Sequence, residues 1–129
     1  MKIEDYLKSS ELIRTVQSGR RIEKLIQREL REYKVTFPQA LILISLLLET
    51  SESTSPMQLS RSLHISKATL SQHLSFFESQ GLIYRQFCNK DARKHFITLT
   101  HKGKIVANQV MYKFETTEKI IDREYLTPS

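Results

Sequence analysis

Two consecutive helix-start signatures in the middle of the chain constrain its fold more than any other feature. Ser55-Pro-Met-Gln58 has the pattern of a capping box with proline at the first helical position, and it predicts a short helix to about Leu63. Shortly afterwards Ser66 can cap a second helix over Lys67–Gln80, which Gly81 can end in a left-handed conformation. Two short capped helices in close succession predict a helix-turn-helix.

The residues after the second helix change from a helical period to the alternation of strands. Leu82–Arg85 and His95–Leu99 are predicted as short strands, joined by the polar segment Gln86–Lys94. Thr100 can then cap a last helix, whose apolar residues recur at helical spacing as far as Tyr125. A hairpin that directly follows a helix-turn-helix is predicted to form a wing.

Two further helices precede this module. Apolar residues at helical spacing predict the first over about Ser10–Tyr33, and Thr36-Phe-Pro-Gln39 is a capping box for a second, largely apolar helix over Ala40–Glu49. With 3 Gly and 3 Pro, the chain has few residues for the turns of an all-β fold. The predicted fold class is therefore mainly α with a small β-hairpin wing: a winged helix-turn-helix flanked by long N- and C-terminal helices.

Charge is concentrated in the same central module. Met1–Thr54 has nine basic and eight acidic residues, and Ile105–Ser129 has three basic and four acidic ones. Ser55–Lys104 has eight basic residues against Glu78 and Asp91, a net of +6 that equals the formal charge of the whole chain. Such a basic module is the electrostatic pattern expected of phosphate binding, although a merely soluble basic surface has the same composition.

The remaining bulk properties exclude several classes of protein. A chain of 129 residues has room for one domain, and its 1 Cys cannot form an internal disulfide or a zinc site of several thiolates. The N-terminus lacks the apolar stretch of a signal peptide, and the longest apolar run is far shorter than a membrane span. We therefore expect a cytoplasmic protein.

The predicted second helix of the helix-turn-helix has two distinct faces. Leu70, Leu74 and Phe77 recur at steps of four and three residues and are expected to face the core. The opposite face has hydroxyl, amide and ammonium groups and no acid before Glu78: Ser66, Lys67, Thr69, Ser71, Gln72 and Ser75. Gln72 can pair with adenine and Lys67 with guanine or phosphate, so this face is predicted to contact DNA. For His73, packing on a neighbouring helix is favoured over a contact in the groove.

The tip of the predicted hairpin is the second candidate DNA contact. Lys90, Asp91, Arg93 and Lys94 cluster there. A basic tip suits the narrow minor groove, where the potential is most negative, and the alternative is a tip charged only for solubility. For Cys88, a passive strand position is favoured over a redox role.

Four stretches together resemble the MarR family of transcriptional regulators. They are Ile65-Ser-Lys-Ala-Thr-Leu-Ser-Gln-His-Leu74, Phe77-Glu-Ser-Gln-Gly-Leu-Ile83, Asp91-Ala-Arg-Lys94 and Leu99-Thr-His-Lys-Gly103. The resemblance spans about Val35–Lys104 and implies that Arg93 is a minor-groove finger anchored by Asp91. It also implies a cytoplasmic homodimeric repressor that binds a near-palindromic operator. By the same resemblance, a small molecule can release the repressor from DNA.

The resemblance further implies a division of the single domain. Residues 1–34 would form an N-terminal dimerisation helix, residues 35–100 the DNA-binding winged-helix lobe, and residues 101–129 a C-terminal dimerisation helix. Family members usually have one more helix, and Leu126-Thr-Pro-Ser129 has the pattern of its cap. We expect homodimerisation through the two terminal helices all the same.

Three alternatives stay open. An ArsR-like repressor shares the Gln-His-Leu sequence of the second helix, but the Cys-x-Cys metal motif is missing and the four histidines have no ligand spacing. A winged-helix module that binds another regulator protein is the second alternative. An enzyme is the third and is not expected, since no glycine-rich phosphate loop or Ser/His/Asp order is present. No metal and no cofactor are predicted.

Overall fold

The computed structural model describes residues 2–49, 54–88 and 91–121. The described elements follow one another as α1 (Ile3–Ser9), α2 (Glu11–Leu30), a 3₁₀ turn (Arg31–Tyr33), α3 (Phe37–Leu48), α4 (Pro56–Leu63), α5 (Lys67–Ser79), β1 (Ile83–Cys88), β2 (Asp91–Leu99) and α6 (His101–Ile121). This order confirms the predicted fold class, with α4 and α5 as the helix-turn-helix and β1–β2 as the wing. No helix in the described ranges is long and apolar enough to cross a membrane.

Serine and threonine caps determine where several helices begin. The Ser10 hydroxyl accepts a hydrogen bond from the amide of Ile13, and Ser55 forms the full capping box with Gln58. Thr100 Oγ1 accepts from the Gly103 amide at 3.0 Å, at the start of α6. Gly81 follows α5 with φ 72°, the left-handed conformation expected at a helix end. These predicted helix boundaries are therefore confirmed.

The wing is longer than the sequence pattern predicted. β1 and β2 pair antiparallel from Ile83 with Leu99 outward to Phe87 with His95, and the ladder becomes irregular between Phe87 and Cys88. The segment Gln86–Lys94 was predicted as a polar connection, and that prediction is wrong for its strand residues. Backbone pairing continues into this segment although its sequence lacks the apolar alternation from which a strand is predicted.

Residues 38–112 form one compact unit with its own core. Its innermost side chains come from α3, α4, α5, the wing and the first part of α6: Ile42, Leu43, Leu59, Leu70, Leu74, Phe77, Ile83, Ile97 and Val110. Thr54 joins the wing, since its carbonyl accepts a hydrogen bond from the Ile97 amide at 2.8 Å. The exposed face of α5 is thus supported by a packed core.

Residues 1–37 and 113–129 form the other compact unit. The rings of Phe37 and Phe114 lie 5.8 Å apart, and Lys113 Nζ lies 3.1 Å from a carboxylate oxygen of Glu32 and 3.7 Å from one of Glu29. Helix α1 was not predicted, because its seven residues show too little apolar periodicity to be distinguished from a polar terminus.

Candidate nucleic-acid interface

The turn between α4 and α5 is fixed by local hydrogen bonds. His64 adopts the left-handed conformation with φ 55°, and the amide of Ile65 donates to the Ser60 carbonyl at 3.2 Å. The Ser60 hydroxyl in turn donates to the Ile65 carbonyl at 2.6 Å. Because backbone and side chain both close this turn, the direction of α5 relative to α4 is well determined.

All six side chains of the predicted DNA-facing surface of α5 are exposed, as the pattern required: Ser66, Lys67, Thr69, Ser71, Gln72 and Ser75. The opposite face is buried, with Leu70 and Leu74 each 1% exposed and Phe77 fully enclosed. The structure therefore confirms the predicted division of the helix into two faces. It leaves the role of the exposed face as a proposal.

Two of these residues interact at the start of α5. The Ser66 hydroxyl accepts the Thr69 amide at 3.2 Å and donates to Thr69 Oγ1 at 2.9 Å. The hydroxyl hydrogen of Ser66 is thus engaged, whereas that of Thr69 can still be donated to an acceptor outside the protein. Ser66 therefore serves as a helix cap that orients Thr69.

His73 lies beside helix α3. Its Nδ1 is 3.3 Å from Nε2 of Gln39, and its side chain is half-buried. The preference for packing over a groove contact, derived from the sequence, agrees with this position. His73 helps to hold α5 against its neighbour.

Arg85 connects the wing to α5 and was not singled out from the sequence. Its guanidinium lies 3.2 Å from His95 Nε2, 3.5 Å from Ser75 Oγ and 3.6 Å from a carboxylate oxygen of Glu78. Glu78 is the one acidic residue of α5, so Arg85 offsets the negative charge nearest to the candidate surface. The sequence offered one signal for its role, namely a cation at a strand position that pairs with the buried residue Ile97.

The tip of the wing is described only in part. Lys94 is exposed, as predicted. Asp91 and Arg93 belong to β2, but their side chains are outside the described part of the structure, as is that of Cys88. Lys90 lies outside the described residues altogether. The four wing residues therefore remain candidates from the sequence.

A cavity of about 470 Å³ lies between the start of α4, helix α5 and the wing. Met57, Leu70, Leu74 and Phe96 contribute apolar lining, and three cations line it as well: Lys67, Arg85 and Lys94. This combination suits a small molecule with an apolar body and a negative charge. In the described part of the chain, no three His, Cys, Asp or Glu side chains are grouped so that they could hold a metal ion.

Comparison with known proteins identifies relatives among bacterial transcription regulators. The family model described as "Bacterial regulatory protein, arsR family" matches residues 38–85. The organic hydroperoxide resistance transcriptional regulator of Bacillus subtilis (strain 168) is 31% identical over 94 residues. That alignment covers 73% of this chain and 63% of the relative, so the chain spans less than two thirds of the relative's length.

Solved structures of MarR regulators share the fold over most of the chain. The complex of Staphylococcus aureus MepR with DNA has a TM-score of 0.81 at 19% identity, covering 89% of this chain and 84% of that one. AbsC, a MarR family regulator from Streptomyces coelicolor, has a TM-score of 0.76 at 20% identity, covering 87% and 74%. A mutant MarR from E. coli complexed with operator DNA has a TM-score of 0.76 at 18% identity, covering 95% and 86%.

The family model and the structural matches cover different parts of the molecule. The arsR-type model matches only α3 to the start of β1, without the terminal helices α2 and α6. The MarR structures match well beyond that stretch. The arsR match is therefore confined to the helix-turn-helix and the elements next to it, whereas the fold shared with the MarR structures extends over most of the chain.

Proposed function

We propose that the chain, which shares the winged helix-turn-helix fold of solved MarR regulators, belongs to that family and is a sequence-specific regulator of transcription that binds duplex DNA. The observation that carries the proposal is the exposed face of α5, which presents hydroxyl, amide and ammonium groups with no carboxylate before Glu78, whose charge Arg85 offsets. Donors without negative charge are what phosphates and base edges require. Two of the structural relatives have been solved in complex with DNA, which supports the same function here.

Each contact has its own proposed role. Gln72 reads a base edge, for which its amide offers both a donor and an acceptor, and Lys67 binds guanine or phosphate. Ser66, Thr69, Ser71 and Ser75 bind phosphates or bases with their hydroxyl groups or position those that do. In the wing, Arg93 enters the minor groove with Asp91 as its anchor, and Lys90 and Lys94 contact phosphates.

The regulator is further proposed to act as a homodimer and a repressor in the cytoplasm. The terminal helices, residues 1–34 and 101–129, would supply the dimer interface, and residues 35–100 the DNA-binding lobe. Two-fold symmetry then places two α5 helices about one DNA turn apart, ~34 Å, and the operator is a near-palindrome. No cofactor is required for this function.

A small-molecule effector is proposed for the cavity beside α5. Lys67 and Lys94 line it and also belong to the proposed DNA-contacting set. An anionic apolar molecule bound there would neutralise cations that phosphates otherwise engage, so it would release the DNA. Fluorescence anisotropy of a DNA complex titrated with small aromatic carboxylates measures this effect, and unchanged DNA affinity with all of them would contradict it.

The DNA-reading role of α5 is tested by Gln72→Ala. We expect the variant to lose discrimination at one base position of the selected operator, by about 1–3 kcal/mol, while binding other sequences normally. Gln109→Ala, which changes an exposed glutamine of α6 outside the proposed DNA-contacting residues, is the matched control. Selection of operators from random DNA followed by anisotropy gives both affinities, and equal base preferences for the two variants would refute the role of Gln72.

The wing is tested by Arg93→Ala. We expect weaker binding with an unchanged melting temperature, since a tip that contacts the minor groove lies outside the core. Normal affinity of this variant, together with failure of Gln72→Ala, would restrict the interface to α5. If the wild-type chain bound no duplex DNA but captured another regulator, the alternative of a protein-interaction module would replace the proposal.

A further inference from the structure

A row of exposed cations follows one face of α2, and the proposed function makes no use of it. Its members are seven, three, four and three residues apart, which places them on one side of a helix. All are exposed, and together they are called here the α2 basic face: Arg14, Arg21, Lys24, Arg28 and Arg31. Over its length a helix rises about 1.5 Å per residue, so the row extends roughly 25 Å.

Acidic groups do not offset the cations at the centre of the row, whereas Glu11 stands three residues before Arg14 and Glu32 four residues after Arg28. No acid stands three or four residues from Arg21 or Lys24, the positions where a solvated helix face usually carries one. Glu29 and Glu32 are engaged with Lys113. Among the described residues, no member of the α2 basic face forms an ion pair with a carboxylate.

The chemistry of the row indicates a polyanion as its partner. Like charges on neighbouring turns repel each other, and a multivalent anion removes that repulsion. Four of the five cations are arginines, whose planar guanidinium binds phosphate through two parallel hydrogen bonds. A row of this length matches a phosphate backbone better than it matches a single small anion.

We propose that the α2 basic face is a second DNA-contacting surface, which binds the phosphate backbone of duplex DNA outside the operator regardless of sequence. The identity of the polyanion rests on the proposed function, because that function already brings the molecule to DNA. The surface itself lies on α2 and its 3₁₀ continuation, within residues 1–37, and shares no residue with the recognition surface of α5.

The test compares two triple variants that remove equal charge. Arg21→Gln, Lys24→Gln and Arg28→Gln together neutralise the centre of the basic face, and glutamine preserves helix propensity. Lys2→Gln, Lys8→Gln and Lys119→Gln are the control, since all three lysines are exposed and none of them belongs to the α2 basic face. Anisotropy with a labelled duplex that contains no operator gives the affinity as a function of salt.

For the basic-face variant, we expect the slope of log affinity against log salt to become less steep by about two to three, because each lost phosphate contact removes about 0.9. Its affinity at low salt should fall by about one to two orders of magnitude. The control should keep the wild-type slope to within about one. Equal slopes for the two variants, with unchanged melting curves, would overturn the proposal.

Two further measurements separate the failure of this proposal from the failure of the proposed function. The preference for operator over random duplex depends on α5 and should be the same in the basic-face variant and the wild type. A wild type without any operator preference would refute the regulator function, while the salt slopes on random duplex would still decide the role of α2. Binding of labelled polyglutamate, at the same face and without binding of duplex, would assign it to an acidic protein and overturn the DNA proposal.

Discussion

At the scale of single residues, two glycines in helices have opposite consequences for stability. A Cβ placed on Gly103 would overlap the carbonyl oxygen of Leu82, at the junction where α6 begins beside the end of α5. A Cβ placed on Gly19, in α2, would meet nothing within 4 Å. Close backbone packing thus requires glycine at position 103, whereas Gly19 has no steric reason to be glycine.

We therefore predict that Gly103→Ala destabilises the fold by about 1–3 kcal/mol or more, because backbone atoms have to move. Gly19→Ala, the matched control, should stabilise it by about 0.5–1 kcal/mol through the lower entropy of the unfolded chain. Urea denaturation of both variants measures the free energy of unfolding. Equal effects of the two changes would show that the contact with Leu82 has no energetic importance.

At the scale of helices and strands, the sequence predicted those features that depend on interactions between residues close together in the chain. Ser55 and Ser66, the predicted caps of α4 and α5, each accept a backbone amide of their own helix, and such caps depend on a few consecutive residues. The amphipathic faces of α5 followed from periodicity for the same reason. These local features determine where α5 begins and which of its side chains are exposed, and the exposed side chains are most of the candidate DNA-contacting residues.

Features that depend on distant partners were not predictable in the same way. Arg85 reaches Ser75 and His95, ten residues away on either side, and only the register of the wing brings the three together. The length of β1 and β2 is likewise set by pairing across the hairpin. The α2 basic face was not predicted from net charge. Residues 1–54 have nearly equal numbers of acidic and basic residues, so their net charge is almost zero even though the basic ones share one face of a helix.

The ion pair between α6 and the 3₁₀ turn leads to a prediction about pH. A hydrogen bond from Lys113 holds the pKa of the Glu32 carboxyl below its ordinary value of 4.5, so the pair stabilises the fold above that pH and is lost as the pH falls through the lowered pKa. The same hydrogen bond raises the pKa of Lys113, so its contribution also disappears at strongly alkaline pH.

Glu32→Gln should consequently lower the melting temperature slightly at neutral pH, and the difference from the wild type should shrink as the pH falls below 4.5 and vanish below the lowered pKa of Glu32. The effect is small because the Glu32 side chain is 58% exposed and solvent screens the pair. Glu23→Gln, an exposed glutamate without an ion pair among the described residues, is the control. Melting curves of Glu32→Gln and the wild type across this pH range test the prediction. A difference in melting temperature that grows on acidification would contradict a stabilising ion pair between Glu32 and Lys113.

At the scale of the whole molecule, charge should control how tightly DNA is bound. A dimer that makes ~6–10 phosphate contacts is expected to lose about three to five orders of magnitude in affinity between roughly 50 and 200 mM salt. The physical reason is the release of counterions from DNA by the basic residues of the winged helix. Anisotropy with an operator duplex over this salt range measures the slope, and a nearly flat response would rule out an interface based on phosphate contacts.

The last prediction concerns assembly, for which the exposed apolar side chains of the N-terminal helices are the main argument. Ile3 is 67% exposed, Leu12 75% and Val16 47%, and Leu12 and Val16, four residues apart, share one face of α2. A soluble monomer seldom leaves a continuous apolar patch in water. A second copy can cover them through a symmetric contact, in which the same surface of each chain takes part. We therefore expect a homodimer at micromolar concentration.

The change that tests this is Leu12→Glu, which would bury a charge in the symmetric contact and should shift the molecule towards the monomer. Leu48→Glu is the matched control, because Leu48 is 61% exposed at the end of α3, outside the proposed dimerisation helices. Sedimentation equilibrium gives the mass of each variant, and the DNA affinity of each should follow its dimer content, since a near-palindrome needs both recognition helices. A wild-type monomer that still binds a single half-site would show that each chain recognises DNA alone and that the apolar residues of α1 and α2 serve another purpose.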